Sequence, residues 1–177
     1  TIINFAQRGV VWGGRDDNGD APPGIYATGN KFYNNIVTNC ASFDGTYGYG
    51  CLNIGGQDGM LIYNNTITTT GATPGWPIKL WNDGYLNGCK IYNNTLKRPP
   101  FPYQYNGIGN YFDFCIEFFN QQGLEIYNNT IEGSIDLNYQ TKGPYAYSAY
   151  IHDNVIGRST QAAHCETGIW LEFQTED

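Results

Sequence analysis

Three charged residues occupy the same kind of setting. Lys79 is the centre of "PIKLW", Glu117 of "CIEFF" and Asp136 of "SIDLN". If these triplets are strands, the flanking apolar residues point one way and the charged residue the other. A lysine and two carboxyls on one face open two chemistries. In β-elimination from a uronic-acid polymer, Lys79 acts as base and a cation held by Asn53, Glu117 or Asp136 neutralises the substrate carboxylate. A neighbouring carboxylate favours the ammonium form and works against that role. In glycoside hydrolysis, a carboxyl pair about 5–5.5 Å apart retains configuration and one about 6.5–9.5 Å apart inverts it. Glu117 and Asp136 on adjacent strands, about 4.8 Å apart, suit the shorter distance. The competing reading is a charge-compensated face with no chemistry.

Aromatic residues crowd the segments between these triplets: "FDGTYGYG", "TPGWPIKLWNDGY" and "RPPFPYQYNGIGNYFDF". Trp76, Trp81, Tyr85, Tyr103, Tyr105 and Tyr111 exceed what a narrow interior holds. Exposed, with Trp170 beside them, such rings offer flat apolar faces and polar edges suited to sugar rings. Alternatively they pack on the outside of the fold and pin long loops down.

"DDNGD" from Asp16 leaves room for a Ca2+ ion, since Asp16, Asn18 and Asp20 have the spacing that opens an EF-hand loop. The sixth and twelfth positions are Ala21 and Ala27, however, so the loop glycine and the bidentate Glu are missing and an EF-hand is excluded. What remains is an irregular Ca2+ site or an acidic turn; no resident metal is assigned. His152 and His164 lack a nucleophile motif, and neither a G-x-S-x-G elbow nor a phosphate-binding glycine loop occurs.

Composition narrows the partners. The formal net charge is −7, and the largest basic cluster is Lys97-Arg98, too little to displace phosphate counterions, so nucleic acid is excluded. A polyanionic glycan would need local positive charge or a bridging cation. No apolar run approaches the roughly 18–20 residues that span a bilayer, so no membrane insertion is expected. The five cysteines, Cys40, Cys51, Cys89, Cys115 and Cys165, form no C-x-x-C pair, and zinc-ribbon and thioredoxin readings fail. Small buried hydrophobes are the favoured reading over a disulfide framework. With 23 Gly, 15 Tyr and 20 Asn and few strong helix formers, the chain reads as an all-β fold rich in turns.

The elements that position these residues come from a repeated phrase. "LIYNNTITTT" from Leu61 returns as "KIYNNTLKRP" from Lys90 and "EIYNNTIEGS" from Glu125, with degraded copies "KFYNNIVTN" from Lys31 and "YIHDNVIGR" from Tyr150. The second Asn of each copy falls at Asn35, Asn65, Asn94, Asn129 and Asn154, at intervals of 30, 29, 35 and 25 residues. Self-similarity on this scale marks a solenoid. Ile62, Ile91, Ile126 and Ile151 alternate with Tyr63, Tyr92, Tyr127 and His152, which is strand periodicity. The apolar position resumes five residues on, at Ile67, Leu96, Ile131 and Ile156, so the Asn pair absorbs one extra residue as a corner. Asn tolerates the left-handed backbone that such a corner needs. Stacked coils then place the five Asn in register as an amide ladder, and Tyr63, Tyr92 and Tyr127 as an external aromatic ladder. The N-x-Thr matches at Asn64, Asn93 and Asn128 fall on this corner and are incidental to it.

An apolar-x-apolar strand precedes each phrase: "GVVWGG" from Gly9, "CLNIG" from Cys51, then "PIKLW", "CIEFF", "SIDLN" and "IWLEF" from Ile169. Two or three short strands per coil make a parallel β-helix of about five coils, right-handed by the usual crossover rule. Its outward column reads Val11, Asn53, Lys79, Glu117, Asp136, Trp170, with Glu172 two residues beyond.

The "IYNNTI" phrases resemble the repeats of right-handed parallel β-helix proteins, the pectate-lyase-like superfamily. The resemblance covers nearly the whole chain and implies one domain over residues 1–177. It implies an extracellular or cell-surface setting and polysaccharide as the partner class. Relatives of this fold include lyases, glycoside hydrolases, epimerases, tailspikes and adhesins, so it does not choose an activity. Lys79, Glu117 and Asp136 match no subfamily motif; they are the catalytic candidates if the chain is a polysaccharide lyase or glycoside hydrolase. Trp76, Trp81, Tyr85, Tyr105, Tyr111 and Trp170 are the carbohydrate-binding ones. A non-catalytic stalk, tailspike or surface filament is the alternative. Thr1-Ile2 matches the Thr-Ile that follows each Asn pair, and Asp177 falls one strand into a coil. The chain is therefore expected to be a segment of a longer β-helix, continuing into further coils of the same parent chain.

Overall fold

In the computed structural model, residues 1–3, 9–12, 27–40, 50–69, 75–80, 86–98, 114–119, 121–139, 148–157 and 168–173 are described. Every regular element among them is a strand, and every pairing is parallel. The strands stack into four sheets, each collecting one strand from successive coils. Parallel sheets stacked in this regular way are consistent with a parallel β-solenoid.

One coil shows how sequence sets the path. Gly50–Ile54 belongs to the first sheet, which carries the charged column and is called here the site sheet. The two-residue strand Gln57–Asp58 follows, in a short four-stranded sheet. Gly59 then turns the chain with φ of 64°, a conformation that only a residue without Cβ adopts freely. Gly29, Gly88 and Gly123 repeat the same corner at φ of 69°, 57° and 59°. Leu61–Tyr63 lies in the tyrosine sheet, and the Asn pair turns the chain into Thr66–Thr69 of the fourth, threonine-bearing sheet.

The two residues of the Asn pair divide the work. The first takes the left-handed backbone: Asn34, Asn64, Asn93, Asn128 and Asp153 have φ between 53° and 56°. The second builds the ladder. Asn65 Nδ2 donates to Asn94 Oδ1 at 2.9 Å, Asn94 Nδ2 to Asn129 Oδ1 at 3.0 Å and Asn129 Nδ2 to Asn154 Oδ1 at 2.9 Å. The same oxygens accept the backbone N–H of the Asn one coil earlier, as in Asn94 N–H to Asn129 Oδ1 at 2.9 Å. Each amide thereby satisfies groups that a buried corner would leave without partners. Asn35 joins at one end of the described ladder, donating to Asn65 Oδ1 at 3.3 Å.

The core is the set of inward columns. Ile62, Ile91 and Ile126 stack in the tyrosine sheet, Ile67, Leu96 and Ile131 in the threonine sheet, and Leu52, Ile78, Ile116 and Ile135 in the site sheet, all fully buried. Identical or near-identical side chains thus repeat one strand spacing apart along a narrow interior. Two bulges keep the columns in step where coils differ in length, one at Cys115 between Phe114 and Ile116, the other at Asn39 between Thr38 and Cys40.

Outside the core, Tyr33, Tyr63, Tyr92, Tyr127 and His152 stack face to face, centroids 5.0–5.1 Å apart and planes within 6°. The expected external ladder is present and is longer by a ring at each end. Its last member carries a charge cluster: His152 Nδ1 lies 2.8 Å from Asp153 Oδ2, His152 Nε2 lies 3.3 Å from Glu125 Oε1, and Glu125 pairs with Lys90 at 2.6 Å. The bond to Asp153 raises the His152 pKa most; partial loss of hydration opposes it, and Glu125 adds to the rise. A histidine whose folded-state pKa is raised adds stability in full below its unfolded value, and that contribution is lost as pH climbs through the folded value. NMR titration is therefore expected to place the His152 midpoint above the ordinary value of about 6.5. Asp153→Asn and Glu125→Gln should each move it down; a midpoint unmoved by Asp153→Asn would contradict the contact.

Candidate functional site

The site sheet stacks Val10–Trp12, Gly50–Ile54, Trp76–Leu80, Phe114–Phe119, Ser134–Tyr139 and Ile169–Phe173 in that order. Its register pairs Val11 with Asn53, Asn53 with Lys79, Lys79 with Glu117, Glu117 with Asp136 and Asp136 with Trp170. The column read from the sequence is thus one continuous row, a residue from each coil. The bulge at Cys115 takes up the one residue that would have shifted Glu117 out of it.

The row's environment differs from the open face that was expected. Asn53, Glu117 and Asp136 are buried, at 1%, 8% and 3% exposure. The charge compensation is present, but not the solvated face: around Asn53, Glu117 and Asp136 the row is withdrawn from water. Lys79 Nζ sits 2.8 Å from Glu117 Oε2, both side chains nearly covered, and 4.0 Å above the Trp76 ring centroid. Withdrawn from water, an ammonium gains more from a carboxylate and from an aromatic face than it would at the surface. Asn53 turns back on its own strand, accepting from Gly50 N–H at 3.2 Å and donating to Gly50 O at 3.4 Å. It braces the strand instead of reaching outward. Gly50 is required there, because a Cβ would meet Lys79 Cβ at 2.8 Å and Asn53 Oδ1 at 2.9 Å.

Trp76 is 8% exposed, so its ring is packed and not an open platform. Lys79 and Arg98 both approach it, the Arg98 guanidinium carbon 5.7 Å from the centroid. The indole N–H of Trp76 is buried and meets no acceptor among the described residues. Arg98 was missed as a site residue because the sequence offers it only as half of Lys97-Arg98. The two part company in the fold: Lys97 pairs with Glu132 at 2.6 Å on a half-exposed surface, whereas Arg98 is buried at 3%. The available signal was position, since Arg98 directly follows the strand Thr95–Lys97 and so leaves the exposed face that strand presents.

Trp81, Tyr85, Tyr103, Tyr105 and Tyr111, the acidic residues 16–20, His164 and Cys165 lie outside the described residues. Trp170 is placed by its backbone alone, beside Asp136. No three His, Cys, Asp or Glu side chains gather for a metal among the described residues. Beside Glu117 the Lys79 ammonium occupies the place that a cation would take, and Asn53 is engaged with its own strand, so these residues do not fit a resident cation. No helix of the structure is long and apolar enough to cross a membrane. No known protein family, curated protein or solved structure matches this chain.

Proposed function

We propose that this chain is a segment of a right-handed parallel β-helix, of the pectate-lyase-like kind, that engages polysaccharide outside the cell through the site sheet. The observation that carries this reading is the single registered row Lys79–Glu117–Asp136, with Trp76 packed against its first member. The backbone positions that carry the two carboxyls are one strand spacing apart, about 4.8 Å, near the separation that retaining glycoside hydrolysis needs. Lys79 Nζ is already held by Glu117 at 2.8 Å and over the Trp76 ring, not aimed at a substrate proton, which favours hydrolysis over elimination. Glu117, paired with Lys79, is then the anionic nucleophile and Asp136 the acid–base partner.

The burial of the row favours a second reading, a non-catalytic structural or adhesive module. A row closed off from water, with Lys79 and Glu117 paired across two coils, also serves to hold successive coils together. A glycan array, a reducing-sugar assay and ultraviolet detection of unsaturated uronate products separate the two. Hydrolysis predicts new reducing ends without unsaturated product, and a loss of about 10²–10⁴ in turnover for Asp136→Asn. Glycan binding with no product supports the adhesive module, and neither binding nor product leaves the structural one.

A further inference from the structure

Cys40 ends a strand of the threonine sheet and Cys51 sits in the next strand of the site sheet, so the two flank residues 41–49 in the chain. Both are fully buried and reduced. Their thiols meet one pair of neighbouring carbonyls: Cys40 Sγ donates to Thr38 O at 3.6 Å and Cys51 Sγ to Thr68 O at 4.0 Å, and Thr38 and Thr68 are partners in register. A second, independent measure agrees. A Cβ built on Gly9 would lie 2.7 Å from Cys40 Sγ and 3.0 Å from Cys51 O, so both cysteines crowd one point beside Gly9. The remaining described cysteines stand apart. Cys115 lies two strands along the site sheet from Cys51, about 9.6 Å, and its thiol donates to Glu132 O at 3.1 Å. Cys89 is engaged on the other side of the coil, with Gln57 O at 3.6 Å and Asn87 O at 3.5 Å. Among the described cysteines, only the first pair is brought to one point of the fold.

We propose that Cys40 and Cys51 are a disulfide site, closed by a small-molecule disulfide such as oxidised glutathione and tying the strand Ile36–Cys40 to the strand Gly50–Ile54. One of the two thiols loses its proton to solvent, and its sulfur attacks the glutathione disulfide. The sulfur–sulfur bond breaks, one glutathione thiolate leaves, and a mixed disulfide remains. The second cysteine sulfur, also deprotonated, attacks the protein sulfur of that mixed disulfide and releases the second glutathione. The cysteines lose two electrons and two protons, and the glutathione disulfide is reduced to two thiols. The neighbouring Cys40 thiol and burial raise the Cys51 pKa well above the ordinary thiol range, so little thiolate exists in the folded chain and closure belongs to folding.

The test is refolding of the fully reduced chain in a reduced–oxidised glutathione buffer, with thiol counting and mass analysis of an unreduced digest. The expected product carries three thiols of the original five and a peptide joining Cys40 to Cys51. Its melting temperature should exceed that of Cys51→Ser refolded alongside it by about 5–10 °C, a difference abolished by dithiothreitol. Cys40→Ser should match Cys51→Ser, and Cys89→Ser should still form the link. A product that keeps five thiols, or whose main linkage joins any other pair, overturns the proposal.

Discussion

Asn94→Ala is expected to destabilise the protein by about 3–5 kcal/mol in urea unfolding. The amide of Asn94 donates to Ile62 O, Tyr92 O and Asn129 Oδ1, each at 3.0 Å, and accepts from Asn65 N–H and Asn65 Nδ2, each at 2.9 Å. Alanine removes all five bonds in a buried corner that water does not reach. A buried group left without a partner costs about 1–3 kcal/mol. Asn65 N–H loses its acceptor outright and Ile62 O loses this donor, while Asn129 Oδ1 still accepts from the Asn94 backbone. Asn35→Ala gives the contrast. Asn35 is only half buried, and its side chain makes two bonds, to Tyr33 O and Asn65 Oδ1, so a cost of about 1 kcal/mol is expected. Equal losses at the two positions would show that the ladder is not a buried network.

The second large effect concerns the ion pair. Lys79→Ala and Glu117→Ala should each cost about 3 kcal/mol, because either one leaves a nearly covered charge without its partner. The double replacement Lys79→Met with Glu117→Leu should fall within about 1 kcal/mol of the parent, since apolar residues of similar volume remove both charges together. With Lys79→Met and Glu117→Leu also made singly, two losses of about 3 kcal/mol each beside a double variant close to the parent are the signature of coupling. Additive losses would mean that the two charges act independently. Stability retained in the double variant also separates folding from catalysis: a stable Lys79→Met/Glu117→Leu protein with no turnover assigns the row to chemistry, and one with unaltered glycan binding assigns it to the scaffold.

Much of the solenoid was legible because its corners are local. The Asn pair with apolar positions five residues apart forces a bend, and repetition of the bend sets the rung length and the register of every column, Lys79 with Glu117 and Asp136 included. The glycine corner carried an equally regular signal that the sequence reading passed over. Gly29, Gly59, Gly88 and Gly123 each precede a ladder Asn by six residues. The strands it follows, such as Gln57–Asp58 and Leu86–Asn87, have only two residues, too few for alternation to register.

The site was legible in register and illegible in environment. Alternation along "CIEFF" tells which way Glu117 points, but whether water meets it depends on what else packs against that face. The same limit hid Arg98 and the packed state of Trp76. Both are decided by approach between residues distant in sequence, 98 and 76, for which no local pattern exists. The bulge at Cys115 was hidden too, since one extra residue in a strand looks like a longer strand until its neighbour is aligned.

Backbone hydrogen exchange at the corners tests the account most directly. The N–H groups of Asn65, Asn94 and Asn129 donate to the side-chain oxygens of Asn94, Asn129 and Asn154 at 2.9–3.0 Å. They should therefore exchange as slowly as the core amides of Ile62, Ile91 and Ile126, although each sits in a turn. Exchange of these three at the rate of open turn amides would contradict a stack of coils held in step by its asparagines.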